Sequence, residues 1–206
     1  MFLKISILVF GRNGELLLLM KDFIDQFQEF SMLDDAAKLD LISVARLQHF
    51  KKGEVILPVG NVCRYLYFVN SGLVKIFSSK DGKEFIMRFF SESQICSVFD
   101  SFLTKTPANF TIFALEDSFV TLISHTEMET LSRKHPTLDV FFRKVISDTS
   151  VRKTKRIQEM LLEDSTWRYQ DFIEKNKHLV HRISLGDVAK YLGITQQSLS
   201  RIRSQK

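Results

Sequence analysis

The run from Ile183 to Arg203 constrains this chain more than any other stretch, because it reads as two short helices joined by a sharp turn. Ser184 is placed to cap the first helix, with Asp187 reaching back in the sense of a capping box, and Thr195 is placed to cap the second. Gly193 falls between them, where a sharp reversal favours a residue without a Cβ. Val188, Ala189, Leu192, Ile194, Leu199 and Ile202 are spaced so that the two helices share a small core, and the short Ala189 permits close approach. The rest of the second helix is polar and basic: Thr195, Gln196, Gln197, Ser198, Ser200, Arg201 and Arg203. Arg pairs bidentately with guanine, Gln with adenine, and Ser or Thr with phosphate or base, so this face carries the chemistry of a major-groove reader. The alternative is a helical hairpin whose charged side is simply solvated. Exposure of Gln196, Gln197 and Arg201 on one face would favour the first reading, and burial against the rest of the chain the second.

The segments Tyr191–Thr195 and Ser198–Ile202, within Leu185–Ser204, resemble the helix-turn-helix of the Crp/Fnr family of bacterial regulators, and the resemblance extends over most of the chain. It implies an α+β fold: an N-terminal β jelly-roll (double-stranded β-helix) sensor domain, a long dimerisation helix and a C-terminal helical helix-turn-helix domain. The implied boundaries are 20–136 for the cyclic-nucleotide-binding-like roll, 137–162 for the helix and 163–206 for the DNA-binding domain, with 1–19 as an N-terminal extension. The implied partners are double-stranded DNA, a second copy of the chain, RNA polymerase and an unidentified small-molecule effector, in the cytoplasm and without a membrane or a cofactor. Many relatives continue into a β-wing after the recognition helix; this sequence stops at Lys206, so wing contacts are expected to be absent.

Charge agrees with a polyanion-binding C-terminal end. Residues 1–150 carry 17 Lys and Arg against 18 Asp and Glu, whereas 151–206 carry 12 against 6. Two cysteines, Cys63 and Cys96, are too few for a disulfide scaffold or for a four-thiolate zinc or iron–sulfur site. They read as buried small hydrophobes, with a redox pair as the alternative. Five histidines show no paired metal-ligand spacing in the strand region, and there is no Gly-rich phosphate loop or nucleophile elbow, so neither a metal site nor an enzyme is expected.

Apolar runs at Ile5–Phe10 and Leu16–Leu19 are split by Gly11-Arg12-Asn13-Gly14, and neither reaches the ~20 residues of a membrane span. Residues 1–19 are therefore either an added hairpin or a mis-assigned start, with Met20 as the other candidate beginning. Apolar residues then recur at helical spacing: Phe23, Ile24, Phe27, Phe30, followed by Leu39, Ile42 and Leu47 behind Asp34 and Asp35. From Phe50 to Ser124 the runs Tyr65–Val69, Leu73–Phe77, Glu84–Phe90, Phe110–Leu115 and Phe119–Ile123, punctuated by turn residues, predict strands of a sandwich or barrel.

After Pro136, Thr137–Leu162 is a single predicted helix of ~39 Å at 1.5 Å per residue. Leu138, Phe141, Phe142, Val145 and Thr149 form its candidate dimer seam, because a helix this long in a small protein needs a partner. A further helix from Trp167 is expected to pack under the turn motif through Trp167, Phe172 and Leu179. His125 and His135 border helices and are expected at the surface.

In the Crp/Fnr resemblance the roll's ligand motif is a short helix after Gly-Glu, followed by Pro-Arg-Ser/Thr, the Glu taking the ribose and the Arg the cyclic phosphate. Here Cys96-Ser97 stands near Gly-Glu, and Pro107 is followed by Ala108-Asn109. The candidate effector pocket is accordingly Cys96, Ser97, Val98, Phe99, Lys105, Ala108 and Asn109, with the phosphate arginine missing and Lys105 as a substitute point charge. Losing one charged hydrogen bond costs ~1.5–3 kcal/mol, which is roughly ten- to a hundredfold in affinity, so cyclic-nucleotide binding is not carried over.

Overall fold

The computed structural model describes Phe23, Asp25 and residues 33–204. The expected N-terminal hairpin lies outside the described residues. A first helix, α1 (Asp35–Val44), starts where Asp34 accepts a hydrogen bond from the Ala37 amide, and it buries Ala37 and Leu41. Leu39 and Ile42, expected on the packed side, are exposed, and Leu47 belongs to a strand. Ala37 and Leu41, four residues apart, share the buried face, and Leu39 lies roughly half a turn away from it.

Eight strands follow: β1 (Arg46–Phe50), β2 (Val55–Leu57), β3 (Tyr65–Ser71), β4 (Val74–Lys80), β5 (Lys83–Phe90), β6 (Gln94–Cys96), β7 (Thr111–Ala114) and β8 (Ser118–Ser124). They form two four-stranded antiparallel sheets, ordered β1-β8-β3-β6 and β2-β7-β4-β5. The non-sequential neighbours are those of a rolled sandwich, and the two inner faces meet in a core that includes Phe68, Val74, Ile76, Phe90, Ile112 and Val120. Inside it, the Thr121 hydroxyl donates to the Asn70 side chain at 2.7 Å, so both buried polar groups are paired. Gly72 turns β3 into β4 with φ +97°, and a Cβ there would lie 2.6 Å from the Asp117 carbonyl, so the close approach requires glycine.

Sheet alternation gives β4 and β5 a second apolar face. Val74, Ile76 and Phe90 point into the roll, while Leu73 at the turn before β4, Ile86 and Phe89 join a separate cluster with the C-terminal helices. A strand pair buried on both faces does not show the period-two pattern of a solvated sheet.

Between β6 and β7 lies a single-turn helix, α2 (Phe99–Thr104), and after β8 comes α3 (His125–Lys134), whose Ser124–Glu127 capping box is complete. His135 is buried and sits 2.6 Å from Asp40, which also pairs with Lys134 at 2.6 Å; both contacts tie α1 to the end of α3 and hold the Asp40 carboxyl below its usual range. His135 is thus a packing residue and not the surface residue expected. The long helix α4 (Pro136–Leu162) starts with proline in its first turn, where no amide partner is lost. Then come α5 (Ser165–Lys175), capped by Asp164, α6 (Leu185–Leu192) and α7 (Gln196–Ser204).

The first half of α4 lies against the roll. Leu138, Phe141 and Val145 are buried by the chain's own β-domain, and the Phe142 ring is 6.0 Å from that of Phe102. This corrects the expected seam: those three side chains are already covered within one chain. Phe102, 1% exposed and flanked by Phe99, His125 and Phe142, joins α2 to α4. Phe102→Ala should cost ~3–5 kcal/mol in denaturant-monitored unfolding, because the roll cannot collapse onto the vacated volume without moving α4.

Candidate nucleic-acid interface and sensor cavity

The terminal motif forms from local signals. Ser184 accepts the Asp187 amide at 3.0 Å, and Thr195 accepts the Ser198 amide at 3.1 Å. Asp187 does not complete the expected capping box: one carboxylate oxygen takes the Ser184 hydroxyl at 3.0 Å and the other takes Lys75 of β4 at 2.9 Å. Gly193 closes α6 with φ +70°, in the left-handed region, donating its amide to the Ala189 carbonyl. A Cβ on Gly186 would come 2.5 Å from the Gln196 side-chain nitrogen, the free end of an exposed side chain that can swing aside, so the close approach of α6 and α7 rests on Ala189.

Val188, Ala189, Leu192 and Leu199 are buried as the sequence predicts. Thr195, Gln196, Gln197, Ser200, Arg201 and Arg203 are exposed, and Ser198 is half-buried beside Thr195. One convex helical face therefore presents two Gln, two Arg and hydroxyls to solvent. Below it, Tyr169, Phe172 and Leu179 are buried, whereas Trp167, expected in that core, is 40% exposed. Asp164 caps α5 through the Trp167 amide, which places that residue on the helix's first turn and turns its ring outward, and Tyr169 takes the inner position.

The motif is fastened to the roll. Its cluster packs onto Leu73, Ile86 and Phe89, with the Phe89 ring 5.7 Å from Tyr191 and 6.2 Å from Phe172. Around this contact Lys75 pairs with Asp187, Lys190 with Glu84, and Arg182 with both Glu92 and Glu116. Glu92 also accepts the Gly72 amide at 3.0 Å, so one carboxylate holds the β3–β4 turn and the segment leading into α6.

The position that corresponds to a cyclic-phosphate site is occupied by the chain's own hydrogen bonds. The Ala108 amide donates to the Asn61 carbonyl at 2.9 Å, and its carbonyl accepts from Gly60 at 2.8 Å. Ser97 donates to the Tyr65 carbonyl at 3.1 Å, and Ser101 donates to the Thr106 carbonyl at 2.5 Å. Cys63 and Cys96 are buried free thiols, both pushed up by burial, which makes them poor nucleophiles.

A cavity of about 470 Å³ opens elsewhere, where β5, β6 and α2 meet the middle of α4 and the α5 region. Of the sequence-predicted pocket residues, Ser97, Val98 and Phe99 line it; Cys96 and Ala108 are buried outside it, and Lys105 and Asn109 are exposed. Lys105 ends α2 in a left-handed conformation, which directs it away from the roll's interior. Thr149, expected in the dimer seam, lines the cavity instead. The cavity's cations, Arg88, Arg152, Arg156, Arg168 and Lys175 among them, come from three separated elements, so no local motif announces them.

Comparison with known proteins is consistent with each part of this architecture. Residues 47–135 match the cyclic nucleotide-binding domain family. The chain is 25% identical over 191 residues to the anaerobic regulatory protein of Pasteurella multocida, covering 85% of this chain and 65% of that relative's length. It is 25% identical over 175 residues to the fumarate and nitrate reduction regulatory protein of Yersinia pestis, covering 77% and 68%. The matched domain and these regulatory relatives together support a Crp/Fnr-type regulator. Among solved structures, the c-di-GMP-responsive global regulator CLP of Xanthomonas campestris superposes with a TM-score of 0.69 at 14% identity over 84% of this chain and 91% of that one. FixK2 of Bradyrhizobium japonicum gives 0.67 at 21% identity over 79% and 84%. At these identities the likeness concerns the fold alone: a β-roll, a long helix and terminal helices.

The fastening of the terminal helices to the roll has a pH signature. Hydrogen bonds from Arg182 hold the Glu92 carboxyl down to about 2, below its ordinary 4.5. A carboxyl depressed in the folded state stabilises fully above its ordinary pKa, and that contribution fades as pH falls from about 4.5 toward 2. Arg182→Met should therefore lower the melting temperature at pH 6–7, and its difference from wild type should shrink steadily in thermal melts taken down to pH 3.

Proposed function

We propose that this protein is a sequence-specific DNA-binding transcription regulator that acts as a homodimer and whose effector is not a cyclic nucleotide. The observation that carries the DNA reading is the exposure of Gln196, Gln197 and Arg201 together on one face of α7, while Leu199 on the opposite face is buried. A hairpin that served only packing would hide these side chains against the roll. The regulatory names of its relatives and the excess of cations after residue 150 support the same reading.

The dimer reading moves to the outer side of α4. Val140, Val151, Ile157 and Leu161 are exposed there at 37%, 65%, 59% and 77%, and Val140, Ser147, Thr154 and Leu161 fall at heptad spacing. A second copy supplies a matching stripe through a two-fold axis, and the 27-residue helix, about 40 Å long at 1.5 Å per residue, is long enough for such a seam. RNA polymerase and an intracellular effector remain part of this proposal on family grounds. The reading without cyclic nucleotide is supported by Ala108 at the phosphate-arginine position and by the occupied Ala108 amide.

Arg201→Ala should cost ~1–3 kcal/mol of affinity for a selected operator in a titration at fixed salt, and Gln197→Ala should change the preferred half-site. Binding equal to wild type by both variants would refute the recognition-helix assignment. Val151→Asp combined with Leu161→Asp should yield monomers by light scattering and weaken operator binding in parallel; undiminished dimers would place the seam elsewhere. Millimolar cyclic AMP should leave the melting midpoint of the full chain unmoved.

A further inference from the structure

The cavity between roll, α4 and α5 is lined by seven Lys and Arg side chains and three Asp and Glu. Arg152 pairs with Asp148 at 2.7 Å and Lys175 with Asp171 at 2.6 Å, whereas other cations of the lining are poorly matched by the protein. Arg88 rises from β5 with no hydrogen bond or ion pair among the described residues; its guanidinium lies 4.9 Å from the Phe90 ring centre. Arg156 and Arg168 both line the cavity, and each has a buried Nε without an acceptor. Of their remaining nitrogens, Arg156 Nη2 donates to the Tyr191 carbonyl and its Nη1 lies 4.0 Å from the Glu159 carboxylate, while Arg168 donates to the Glu163 and Leu192 carbonyls. Burial lowers the Arg88 pKa, and the neighbouring positive charge of Arg152 lowers it further. Guanidinium groups gathered around one cavity repel one another, and an anion with several oxygens relieves that cost by accepting from the accessible nitrogens of more than one of them.

The rest of the lining is apolar, with Ile76, Ile95, Phe99 and Phe110, and the volume falls within the range of small-molecule sites. We propose that this cavity binds a phosphate monoester of an aromatic or apolar body, its dianionic head held by Arg88 with Arg152 and Arg156 and its body against the phenylalanine side. A cyclic phosphodiester, with one negative charge, matches this set less well. The site joins β5 through Arg88, α4 through Arg152 and Arg156, and the DNA-binding domain through Arg168, so occupancy bears on how that domain is held. The proposal deepens the sensor reading above and rests on it for its regulatory meaning, but binding is measured without DNA, so failure of the ligand site and failure of DNA recognition are separate results.

The test uses the full chain in thermal-shift and calorimetric titrations with phenyl phosphate and 1-naphthyl phosphate. Both should raise the midpoint saturably, and Arg88→Met should weaken them by about tenfold or more. Without ligand, Arg88→Met should melt at or above the wild-type temperature, because it removes a buried, repelled charge and keeps the stem on Phe90. Should that variant not fold, Arg152→Gln, on an exposed helix position, must weaken the same titrations. The proposal is overturned by the absence of a saturable shift in the wild type, by equal affinity in the Arg88 or Arg152 variant, or by a lower melting temperature of ligand-free Arg88→Met, which would assign Arg88 to the fold.

Discussion

The arrangement of the whole chain depends on the contact between α6 and β5, and at its centre on the buried pair of Lys75 and Asp187. Their side chains are 8% and 14% exposed. Lys75 also lies 4.9 Å from the Phe77 ring centre, 5.4 Å from that of Phe113 and 3.9 Å from the Glu84 carboxylate, so its ammonium is surrounded by π faces and two carboxylates rather than by water. Taking both charges out of water offsets much of their attraction, and such pairs specify a geometry more than they stabilise it. Asp187 also accepts the Ser184 hydroxyl, while Ser184 accepts the Asp187 amide, so the start of α6 and its docking on the sheet share one carboxylate. The helix cannot shift along β5 without disturbing its own cap.

Around this pair, the apolar contact of Leu73, Ile86 and Phe89 with the terminal cluster supplies the non-directional attraction, and Arg182 with Glu92 and Glu116 supplies the rim. The rim pairs are partly solvated and individually weak, but Arg182 makes four hydrogen bonds to two carboxylates, which fixes its planar head. On the other side of α5, Arg156 reaches the Tyr191 carbonyl and stacks 4.0 Å over the Tyr191 ring, connecting α4 to α6. The DNA-binding domain is thus held by two other parts of the chain at once, and the cationic cavity lies in the angle between them.

How much of this the sequence shows follows from whether a signal is local. The caps at Ser184 and Thr195, the left-handed Gly193 and the polar face of α7 are written in adjacent residues, and the structure realises them. The strands from Tyr65 onward are legible from turns and β-branched runs, with ends moved by up to three residues; the three-residue β2 and β6 carry too few residues to register, and β1 is masked because Leu47 falls in phase with the helical run before it. The stripe of Leu138, Phe141 and Val145 was legible as apolar, but periodicity does not say what covers it, and the roll covered it before a second chain could. Trp167 was assigned inward by size, whereas the phase set by the Asp164 cap placed Tyr169 there. Arg88, Arg152, Arg156 and Arg168 converge only after folding, so nothing in their spacing marks a site.

The exposure of the recognition face bears on how a regulator built this way can be controlled. In this conformation Gln196, Gln197 and Arg201 are already open to solvent, although the motif that carries them is clamped to β5. An effector therefore has no recognition face to uncover. On the proposed reading, what it can change is the position of the clamped domain relative to α4, and, in the proposed dimer, the separation and angle of two recognition helices. Half-sites on B-form DNA lie about 34 Å apart, and a displacement of a few ångströms at each helix is enough to take base contacts out of register. On the proposed reading, control in this protein is a matter of geometry between two exposed faces, and the cavity at the junction of roll, α4 and α5 is where a small molecule has purchase on that geometry.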